Sequence, residues 1–427
     1  MKFSKYNIFS TQNNKIIVYN TITEMILEFD KDFFLSLKNH PSEILNIIHK
    51  NDKKYILNSK IIADDEIEKN NIIKNKLVEA KSVNTISLFI TPTLFCNMNC
   101  IYCFQSAYKK SEMTQDIANQ TIQFTKVLLK SKKTNILNIV WTGGEALLKV
   151  DLIKYMSCNI KKILDNNISF QQKVITNGLL LNENNIKILN ETGISSIQIT
   201  VDGLSNTHNQ RRTSNKYNSF DKITQNIDNL LLNYSNIHLA LRINIDKSNL
   251  NSYIEILTYL NHRYVNKNYS VTPCFVEQFD NMNIDDRIHN ILSHDEQTKF
   301  LLNAGRLYYD SLPIDFLPQR KSANCMLKRK YSFAIGADGS VYKCYIDVGN
   351  LTKRIGHINN PSFLKNKFYL SDIKISNKCY DCSLFPVCNG SCPKKISTLN
   401  NNKNEHCHIA KGYEKKFLKF YMENIIK

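Results

Sequence analysis

The chain has 427 residues, twelve cysteines and a formal net charge of +18, and its length predicts two or three folded units. No apolar run reaches the length of a signal peptide or a membrane-spanning helix, so we expect a cytoplasmic protein without membrane spans, in which clustered cysteines bind metal. The lysines are dispersed, without an arginine stripe or an aromatic RNA-binding motif, so nucleic acid is not an expected partner.

Residues 1–85 begin with three β-like runs, KYNIFS, KIIVYN and EMILEF. Helical patterns follow in DFFLSLK, SEILNIIHK and the charged stretch ADDEIEKNNIIKNKLVEA. This order predicts a small α+β domain.

Residues 86–310 alternate short β-rich runs with helix-length segments such as IANQTIQFTKVLLK. This alternation is typical of βα units around a parallel sheet. The predicted strands, in chain order, are SLFITPTLF, ILNIVWTGG, QQKVITNG, SSIQITVDG, HLALRINID and YSVTPCFVE.

Four of these strands end in distinctive residues. In parallel α/β architectures, ligands bind at the edge where the strands end. We therefore expect a ligand site there. The residues are the cysteine loop, Gly143-Gly144-Glu145, Thr176-Asn177-Gly178 and Asp202-Gly203.

The cysteine loop, CNMNCIYC, contains Cys96, Cys100 and Cys103. Three thiolates bind three corners of a [4Fe-4S] cluster and leave the fourth iron open to another ligand. A zinc knuckle or a redox CxxC is the alternative, but zinc sites draw four ligands and this loop offers no nearby fourth.

The loop resembles that of the radical S-adenosylmethionine (SAM) superfamily, with Tyr102 at the aromatic position before the last cysteine. The resemblance implies a partial (β/α)6 parallel barrel and an enzyme. It also implies that SAM binds the open iron, that Tyr102 lies against the adenine, and that a 5′-deoxyadenosyl radical removes hydrogen from the substrate.

Further positions resemble the superfamily's SAM contacts. Gly143 and Gly144 would let the backbone approach SAM, with Glu145 near its ammonium group, although Ala146 stands where relatives often have proline. For the polar positions, strand-edge hydrogen bonds or exposed ion pairs are the structural alternative. These positions are Thr200, Asp202, Arg212 and Arg242.

Residues 311–427 contain a predicted hairpin around Asp338-Gly339 and seven closely spaced cysteines. The pattern resembles the SPASM extension of peptide- and protein-modifying radical SAM enzymes, which carries two auxiliary [4Fe-4S] clusters. A zinc ribbon is the rival, although seven cysteines divide poorly into four-thiolate sites. The cysteines are Cys325, Cys344, Cys379, Cys382, Cys388, Cys392 and Cys407.

The resemblance assigns these thiolates to an outer and an inner auxiliary cluster. Together with the cluster of the cysteine loop, this makes three [4Fe-4S] clusters. Seven thiolates cannot fill both auxiliary clusters, so the inner one is a ligand short. Either it keeps an open iron, which we favour, or Cys274 reaches it; Cys158 is expected to be a buried apolar residue. The outer set is Cys379, Cys382, Cys388 and Cys407, and the inner set is Cys325, Cys344 and Cys392.

Proteins with this extension include two classes that this chain resembles. Ribosomal-peptide maturases form thioether or carbon–carbon crosslinks, and anaerobic sulfatase maturases form formylglycine. About 85 residues precede the loop here and resemble a winged-helix peptide-recognition domain, which can bind a leader segment by strand addition. Tyr345 follows Cys344 where sulfatase maturases carry an aspartate, and Asp347 is a weak substitute.

We therefore predict an oxidative peptide maturase acting on a precursor peptide with a leader segment. An external one-electron reductant of the flavodoxin or ferredoxin type would supply electrons. A basic, zinc-stabilised nucleic-acid-binding protein is the non-enzyme alternative, but it does not explain the βα units or the position of the cysteine loop.

Overall fold

The computed structural model describes residues 2–81, 84–130, 134–277, 290–308, 318, 325–365, 377–388, 392–394 and 407–425. The predicted boundary at 310/311 lies outside these residues. The division into three domains therefore stays a prediction. Among the described helices, none is both long enough and apolar enough to cross a membrane.

The N-terminal region has the predicted order of strands followed by helices. Its three-stranded antiparallel sheet has the order β2-β3-β4, and β1 pairs with β5. Strands β2 and β3 are joined by Asn13 and Asn14, whose positive φ angles of 45° and 60° fit a type I′ turn. The elements are β1 (Lys2–Phe3), β2 (Asn7–Gln12), β3 (Lys15–Asn20), β4 (Ile26–Asp30), α1 (Lys31–Asn39), α2 (Pro41–Ile47), α3 (Lys50–Asn58), β5 (Ile62–Ala63) and α4 (Asp65–Lys81).

The six predicted βα units are confirmed. Their strands pair in parallel in the order β6-β8-β9-β10-β12-β13, as near-continuous apolar runs covered by helices are expected to do. The elements are β6 (Thr85–Ile90), β7 (Asn99–Cys100), α5 (Gln115–Lys130), β8 (Ile136–Trp141), α6 (Val150–Lys162), β9 (Ser169–Thr176), α7 (Glu183–Glu191), β10 (Ser196–Thr200), α8 (Ser205–Arg211), β11 (Arg212–Thr213), α9 (Ser219–Asn233), β12 (His238–Ile245), α10 (Ser252–Arg263), β13 (Tyr269–Phe275) and α11 (His294–Tyr308).

The predicted hairpin around Asp338-Gly339 also forms, but it belongs to the central sheet. Its first strand pairs in parallel with β6, so the sheet gains three strands in the order β6-β14-β15-β16. This pairing satisfies an edge of β6 that would otherwise be unpaired. The C-terminal elements are β14 (Ser332–Ile335), β15 (Ser340–Tyr342), β16 (Gly356–His357), α12 (Asn377–Tyr380), α13 (Phe385–Cys388) and α14 (Glu414–Ile425).

One large apolar core connects these parts. It contains the inner faces of the central strands and helices, Ile8 and Ile17 of the N-terminal sheet, and Phe417 of α14. A second core, with Val18 and Phe34, lies between the other face of the N-terminal sheet and its helices. The N-terminal sheet is therefore held on both faces.

Candidate active site

The cysteine loop leaves the C-terminal end of β6 and is held by pairing with a distant segment. Its strand β7 pairs antiparallel with β11, which places Arg212 opposite Cys100. The amide of Ile101 also donates to the carbonyl of Arg211 at 3.0 Å, and the amide of Cys103 donates to the carbonyl of Cys100 at 3.2 Å. The position of the cysteines therefore depends on contacts made more than a hundred residues later.

The two glycines after β8 pack directly under this loop. The amide of Gly144 donates to the carbonyl of Thr93 at 3.0 Å. A Cβ on Gly144 would lie 2.2 Å from the carbonyl oxygen of Phe95, and one on Gly143 would lie 2.3 Å from that of Thr93. Gly143 also has φ +138°, which side chains rarely adopt. Close packing of the loop thus requires both glycines.

Glu145 is fully buried, and its carboxylate joins the end of β9 to the turn after β8. Its Oε1 accepts from Thr176 Oγ1 at 2.7 Å and from the Leu147 amide at 2.9 Å, and its Oε2 accepts from the Asn177 amide at 2.7 Å. Burial raises the pKa of this carboxyl, whereas these hydrogen bonds oppose the increase. The carboxylate holds the end of β9 against the turn after β8. Its contact with SAM stays a prediction.

Asn177 links that strand end to the cysteines. Its side-chain amide donates to Cys96 Sγ at 3.7 Å and to Asn97 Oδ1 at 2.6 Å. A hydrogen bond to a ligand sulfur is one of the contacts by which proteins set the reduction potential of an iron–sulfur cluster. Thr176-Asn177-Gly178 was recognised as a strand-end signal, but Asn177 was not predicted as a site residue.

Tyr102 joins two other predicted site residues in a hydrogen-bonded chain. Its phenol donates to Asp202 Oδ2 at 2.5 Å and accepts from Arg212 Nη1 at 2.8 Å. Asp202 is fully buried, and its Oδ1 accepts from the Asn244 amide at 3.2 Å. The three side chains therefore connect the cysteine loop, the end of β10 and β11.

Arg211, which the sequence did not single out, stabilises this hydrogen-bonded chain by binding two buried carboxylates. Its Nη1 donates to both carboxylate oxygens of Asp246 at 2.8 Å, and its Nε donates to Asp202 Oδ2 at 3.4 Å. The side chains of Arg211 and Asp202 are at most 4% exposed, which makes this a buried ion-pair network. Its geometry fixes Asp202 beneath Tyr102.

A cavity of about 510 Å³ opens at this edge of the sheet, within the size range of ligand pockets. Arg212 Nε is buried and has no hydrogen-bond partner among the described residues, so this wall offers a free donor. Glu145 and Asp202 lie outside the lining. The predicted site residues that line the cavity are Cys96, Cys100, Cys103, Tyr102, Gly143, Gly144, Thr200, Arg212 and Arg242.

Another part of the wall comes from β12, β13 and the turn after β15. Arg242, Cys274, Glu277 and Tyr345 line the cavity there. Burial raises the pKa values of the Cys274 thiol and the Tyr345 phenol, and Arg242 lowers both while Glu277 raises both. These four groups are thus close enough to interact. The curved sheet brings β13 to the residues that follow Cys344, which no local pattern predicts.

Tyr345 and Asp347, the two residues weighed from the sequence, have different environments. The Tyr345 ring stacks on Phe89 with a centroid distance of 5.4 Å and lines the cavity. Asp347 is buried, forms an ion pair with Lys394 and is not among the lining residues. No carboxylate therefore reaches the described cavity from the turn after Cys344.

Some of the C-terminal thiols lie close enough to shift one another's pKa, while their division into two sets stays a prediction. Burial, together with the thiols of Cys388, Cys382 and Cys379, raises the pKa of Cys407. Burial also raises the pKa of Cys344 to about 11, with a smaller contribution from Cys325. Among the described residues, no three His, Cys, Asp or Glu side chains form a group that could hold a single metal ion. The expectation for Cys158 is wrong, because this residue is exposed on α6, whose buried face carries Ile153, Met156 and Ile160.

The side chain of Lys328 lies near members of both the predicted inner set and the predicted outer set of cysteines. Burial lowers the pKa of its ammonium group, whereas neighbouring thiols oppose the decrease. The thiols, largest effect first, are those of Cys325, Cys388, Cys392 and Cys379. This places Cys392 in the same region as members of both sets, although the assignment of each thiolate to a cluster stays a prediction.

The central part of the chain matches a known family. Residues 90–260 match the Radical SAM superfamily. The sporulation killing factor maturation protein SkfB of Bacillus subtilis is 26% identical over 172 residues. That match covers 40% of this chain and 38% of SkfB, so the chain spans well under half of that relative.

Two solved structures have a similar fold over most of the chain. Native anSMEcpe with bound AdoMet and Cp18Cys peptide has a TM-score of 0.64 and 20% identity, and covers 80% of this chain and 98% of its own. Streptococcus suis SuiB bound to precursor peptide SuiA has a TM-score of 0.56 and 13% identity, and covers 95% and 98%. At these identities the likeness concerns the fold alone.

Proposed function

We propose that the radical SAM domain formed by residues 90–260 belongs to a peptide maturase, which oxidatively crosslinks a ribosomally made precursor peptide. The observation that carries the proposal is that Tyr345 and Ile346, directly after Cys344, line the same cavity as the cysteine loop. Oxidative bond formation removes two electrons from the peptide. Because Tyr345 and Ile346 follow Cys344 directly, a second cysteine-rich segment lies next to the cavity in which the substrate would react and could accept an electron there.

A radical SAM domain implies SAM and one [4Fe-4S] cluster, and the residues of the cavity fit both. Cys96, Cys100 and Cys103 would hold the cluster, and the unpaired Arg212 Nε offers a donor to an anionic group of SAM. When bound, the cluster and SAM together supply a 5′-deoxyadenosyl radical that abstracts hydrogen from a carbon atom. The chain's own contribution is to orient both: Asn177 reaches Cys96, and Tyr102 is fixed by Asp202.

Forming a thioether or carbon–carbon bond also releases a proton. Glu277 has the single carboxylate among the described cavity-lining residues, so we propose it as the proton acceptor. The interactions of Glu277 with Cys274 and Tyr345 support this role, because they place its charge on the cavity wall. General bases in such positions contribute about 10²- to 10⁴-fold to rate.

The second electron also needs an acceptor. We propose that the acceptor is a pair of auxiliary [4Fe-4S] clusters bound by the seven C-terminal cysteines. The inner cluster keeps an open iron. The charged groups that shift the pKa of the Cys274 thiol are Arg242 and Glu277 on the wall of the main cavity, and no other thiol is among them. This supports a role at that wall over that of an eighth ligand. Iron analysis of anaerobically purified protein should give about twelve irons per chain, both in the wild type and in Cys274→Ser. About eight irons, or stoichiometric zinc, would refute the three-cluster proposal.

We expect a leader segment of the precursor to bind the N-terminal region, and a flavodoxin- or ferredoxin-type protein to reduce the cluster in the cytoplasm. Formylglycine formation is less well supported, because the residue after Cys344 is Tyr345 and Asp347 is paired with Lys394.

The test is anaerobic incubation of the full chain with SAM, reductant and small peptides encoded by neighbouring reading frames. Mass spectrometry should show loss of two hydrogen atoms from one peptide, together with 5′-deoxyadenosine, and neither in Cys96→Ala. An unchanged peptide mass despite SAM cleavage would contradict peptide maturation. Conversion of a cysteine or serine in a sulfatase to formylglycine would favour the alternative.

A further inference from the structure

Lys411 contacts the sulfur atom of a predicted cluster ligand. Its ammonium group donates a hydrogen bond to Cys382 Sγ at 3.4 Å. The same ammonium group lies 3.8 Å from Oε1 of Glu414, whose side chain is the more buried of the two. Lys411 therefore places a positive charge between a thiol of the predicted outer set and a carboxylate.

The backbone around Lys411 is held by contacts that do not involve its ammonium group. Lys411 follows Cys407 by four residues, and its amide donates to the carbonyl of His408 at 2.8 Å. From α11, Thr298 Oγ1 donates to the carbonyl of Ile409 at 2.8 Å. Removal of the ammonium group should therefore leave this turn in place.

The four thiols of the predicted outer set fit the ligand set of a [4Fe-4S] cluster. The amide of Cys382 donates to the carbonyl of Cys379 at 3.1 Å, and the amide of Cys388 donates to the carbonyl of Leu384 at 2.8 Å. These two turns bring three of the thiols near the fourth, because burial and then Cys388, Cys382 and Cys379 raise the pKa of Cys407. Four cysteine thiolates are the usual ligands of such a cluster.

A charged donor at a ligand sulfur has a definite effect on the cluster. Reduction adds negative charge to the cluster, so a nearby ammonium group stabilises the reduced form more than the oxidised form. Charge-assisted hydrogen bonds are also stronger than neutral ones. At Cys96 of the cysteine loop, by contrast, the donor is the neutral side-chain amide of Asn177, at 3.7 Å.

We propose that Lys411, acting through the sulfur of Cys382, raises the reduction potential of the outer auxiliary cluster and so favours it as the acceptor of the electron released in crosslinking. In that step the crosslinked peptide radical is oxidised by one electron and the auxiliary pair is reduced by one. The proton goes to Glu277, and the flavodoxin- or ferredoxin-type carrier reoxidises the pair by taking the electron. The inference rests on the proposed function for the existence of the cluster, but its potential is measured without any peptide.

The test is a redox titration followed by electron paramagnetic resonance. The parent protein is the full chain with Cys96, Cys100 and Cys103 replaced by alanine, so that about eight irons in two auxiliary clusters remain. Lys411→Met removes the charge and the donor but keeps a long side chain. One of the two transitions should move to more negative potential and the other should stay in place. A threefold to tenfold smaller equilibrium constant for reduction corresponds to a shift of roughly 28–59 mV for one electron.

Glu414→Gln tests the sign of the effect. Loss of this carboxylate leaves the charge of Lys411 uncompensated, so the same transition should move to more positive potential. Lys411→Arg keeps both charge and donor and should stay close to the parent. Lys415→Met, at an exposed position of α14, is the matched control and should leave both transitions in place. A purely structural disturbance gives no reason for shifts of opposite sign.

Unmoved transitions in Lys411→Met, or shifts of the same sign in Lys411→Met and Glu414→Gln, would overturn the proposal. If Lys411→Met loses its cluster, the lack of a positive shift in Glu414→Gln overturns it instead. About eight irons in the parent with unmoved potentials would refute the role of Lys411 and leave the three-cluster proposal intact. About four irons in the parent would refute both.

Discussion

The phenol of Tyr102 donates a hydrogen bond of 2.5 Å to Asp202 Oδ2, although the two residues are 100 positions apart in the chain. The same phenol oxygen accepts from Arg212 Nη1. The aromatic residue of the cysteine loop is thereby fixed to two residues that the sequence predicts as SAM contacts. The side chain cannot swing away by rotation about χ1 without breaking both hydrogen bonds.

Tyr102→Phe should retain the iron of the cysteine loop but bind SAM more weakly. Hydrogen bonds to charged groups contribute about 1.5–3 kcal/mol, which corresponds to a loss in affinity of about tenfold to a hundredfold. Isothermal titration calorimetry with SAM under anaerobic conditions measures the change. Tyr155→Phe, which removes only an exposed hydrogen bond to Asn119, is the control and should bind SAM normally. Equal affinity in Tyr102→Phe would show that the network does not position the site.

Gly144→Ala should prevent correct folding of the cysteine loop. The new Cβ would lie 2.2 Å from the Phe95 carbonyl oxygen and 2.7 Å from that of Leu94, and backbone atoms cannot yield at little cost. Such overpacking costs about 1–3 kcal/mol or more. We expect a lower thermal midpoint and loss of about four irons per chain.

Gly193→Ala is the matched control. Gly193 also has a positive φ of 82°, but a Cβ there would meet no atom within 4 Å. It should show modest destabilisation from backbone strain and full iron content. Full iron content in Gly144→Ala as well would contradict the packing argument.

Glu277→Gln should uncouple SAM cleavage from peptide modification. Glutamine keeps the size of the side chain but cannot accept the proton, so modified peptide should decrease by at least about a hundredfold. Formation of 5′-deoxyadenosine should continue, which liquid chromatography detects in the same sample. Glu191→Gln, on an exposed pair with Lys154, should modify the peptide at the wild-type rate. A wild-type rate in Glu277→Gln would exclude it as the base.

His208 should make the protein less stable in mild acid. It is fully buried, its Nδ1 accepts from the Asp202 amide at 3.3 Å, and burial lowers the pKa of its imidazole well below the usual 6.5, with further lowering by Arg212 and Arg211. Below pH 6.5 the unfolded chain therefore binds a proton that the folded chain does not. The free energy of unfolding decreases as pH falls, by at most about 1.4 kcal/mol per pH unit from this group.

Thermal midpoints at pH 7 and pH 5.5 check this expectation. His208→Gln should be less stable at pH 7 but should lose less on acidification than the wild type, because glutamine does not titrate. His262→Gln, at an exposed position of α10, should follow the wild type at both pH values. The same loss on acidification in His208→Gln would assign the effect to other groups.

The sequence predicted the six βα units, the cysteine loop after the first strand and the hairpin around Asp338-Gly339. These features depend on local patterns: apolar runs of strand length, cysteine spacing and turn residues. The three cysteines, Tyr102 and the two glycines line one cavity because the ends of parallel strands share an edge.

Residue type did not reveal which polar groups face that cavity. Glu145 and Asp202 were predicted as SAM contacts, but the structure places both carboxylates in buried hydrogen-bond networks outside the lining. Asn177 and Glu277 line it instead, although neither was predicted as a site residue. The direction of a side chain at a strand end depends on its partners in neighbouring loops.

By itself, the sequence determined the order of elements and the cysteine chemistry, because both depend on residues close together in the chain. Only the tertiary structure decided that Arg212 lies opposite Cys100, that β14 pairs with β6, and that Glu277 and Tyr345 line one cavity. These contacts join segments far apart in sequence. Their geometry depends on how the sheet curves and how loops pair across its edge, and no local pattern contains that information.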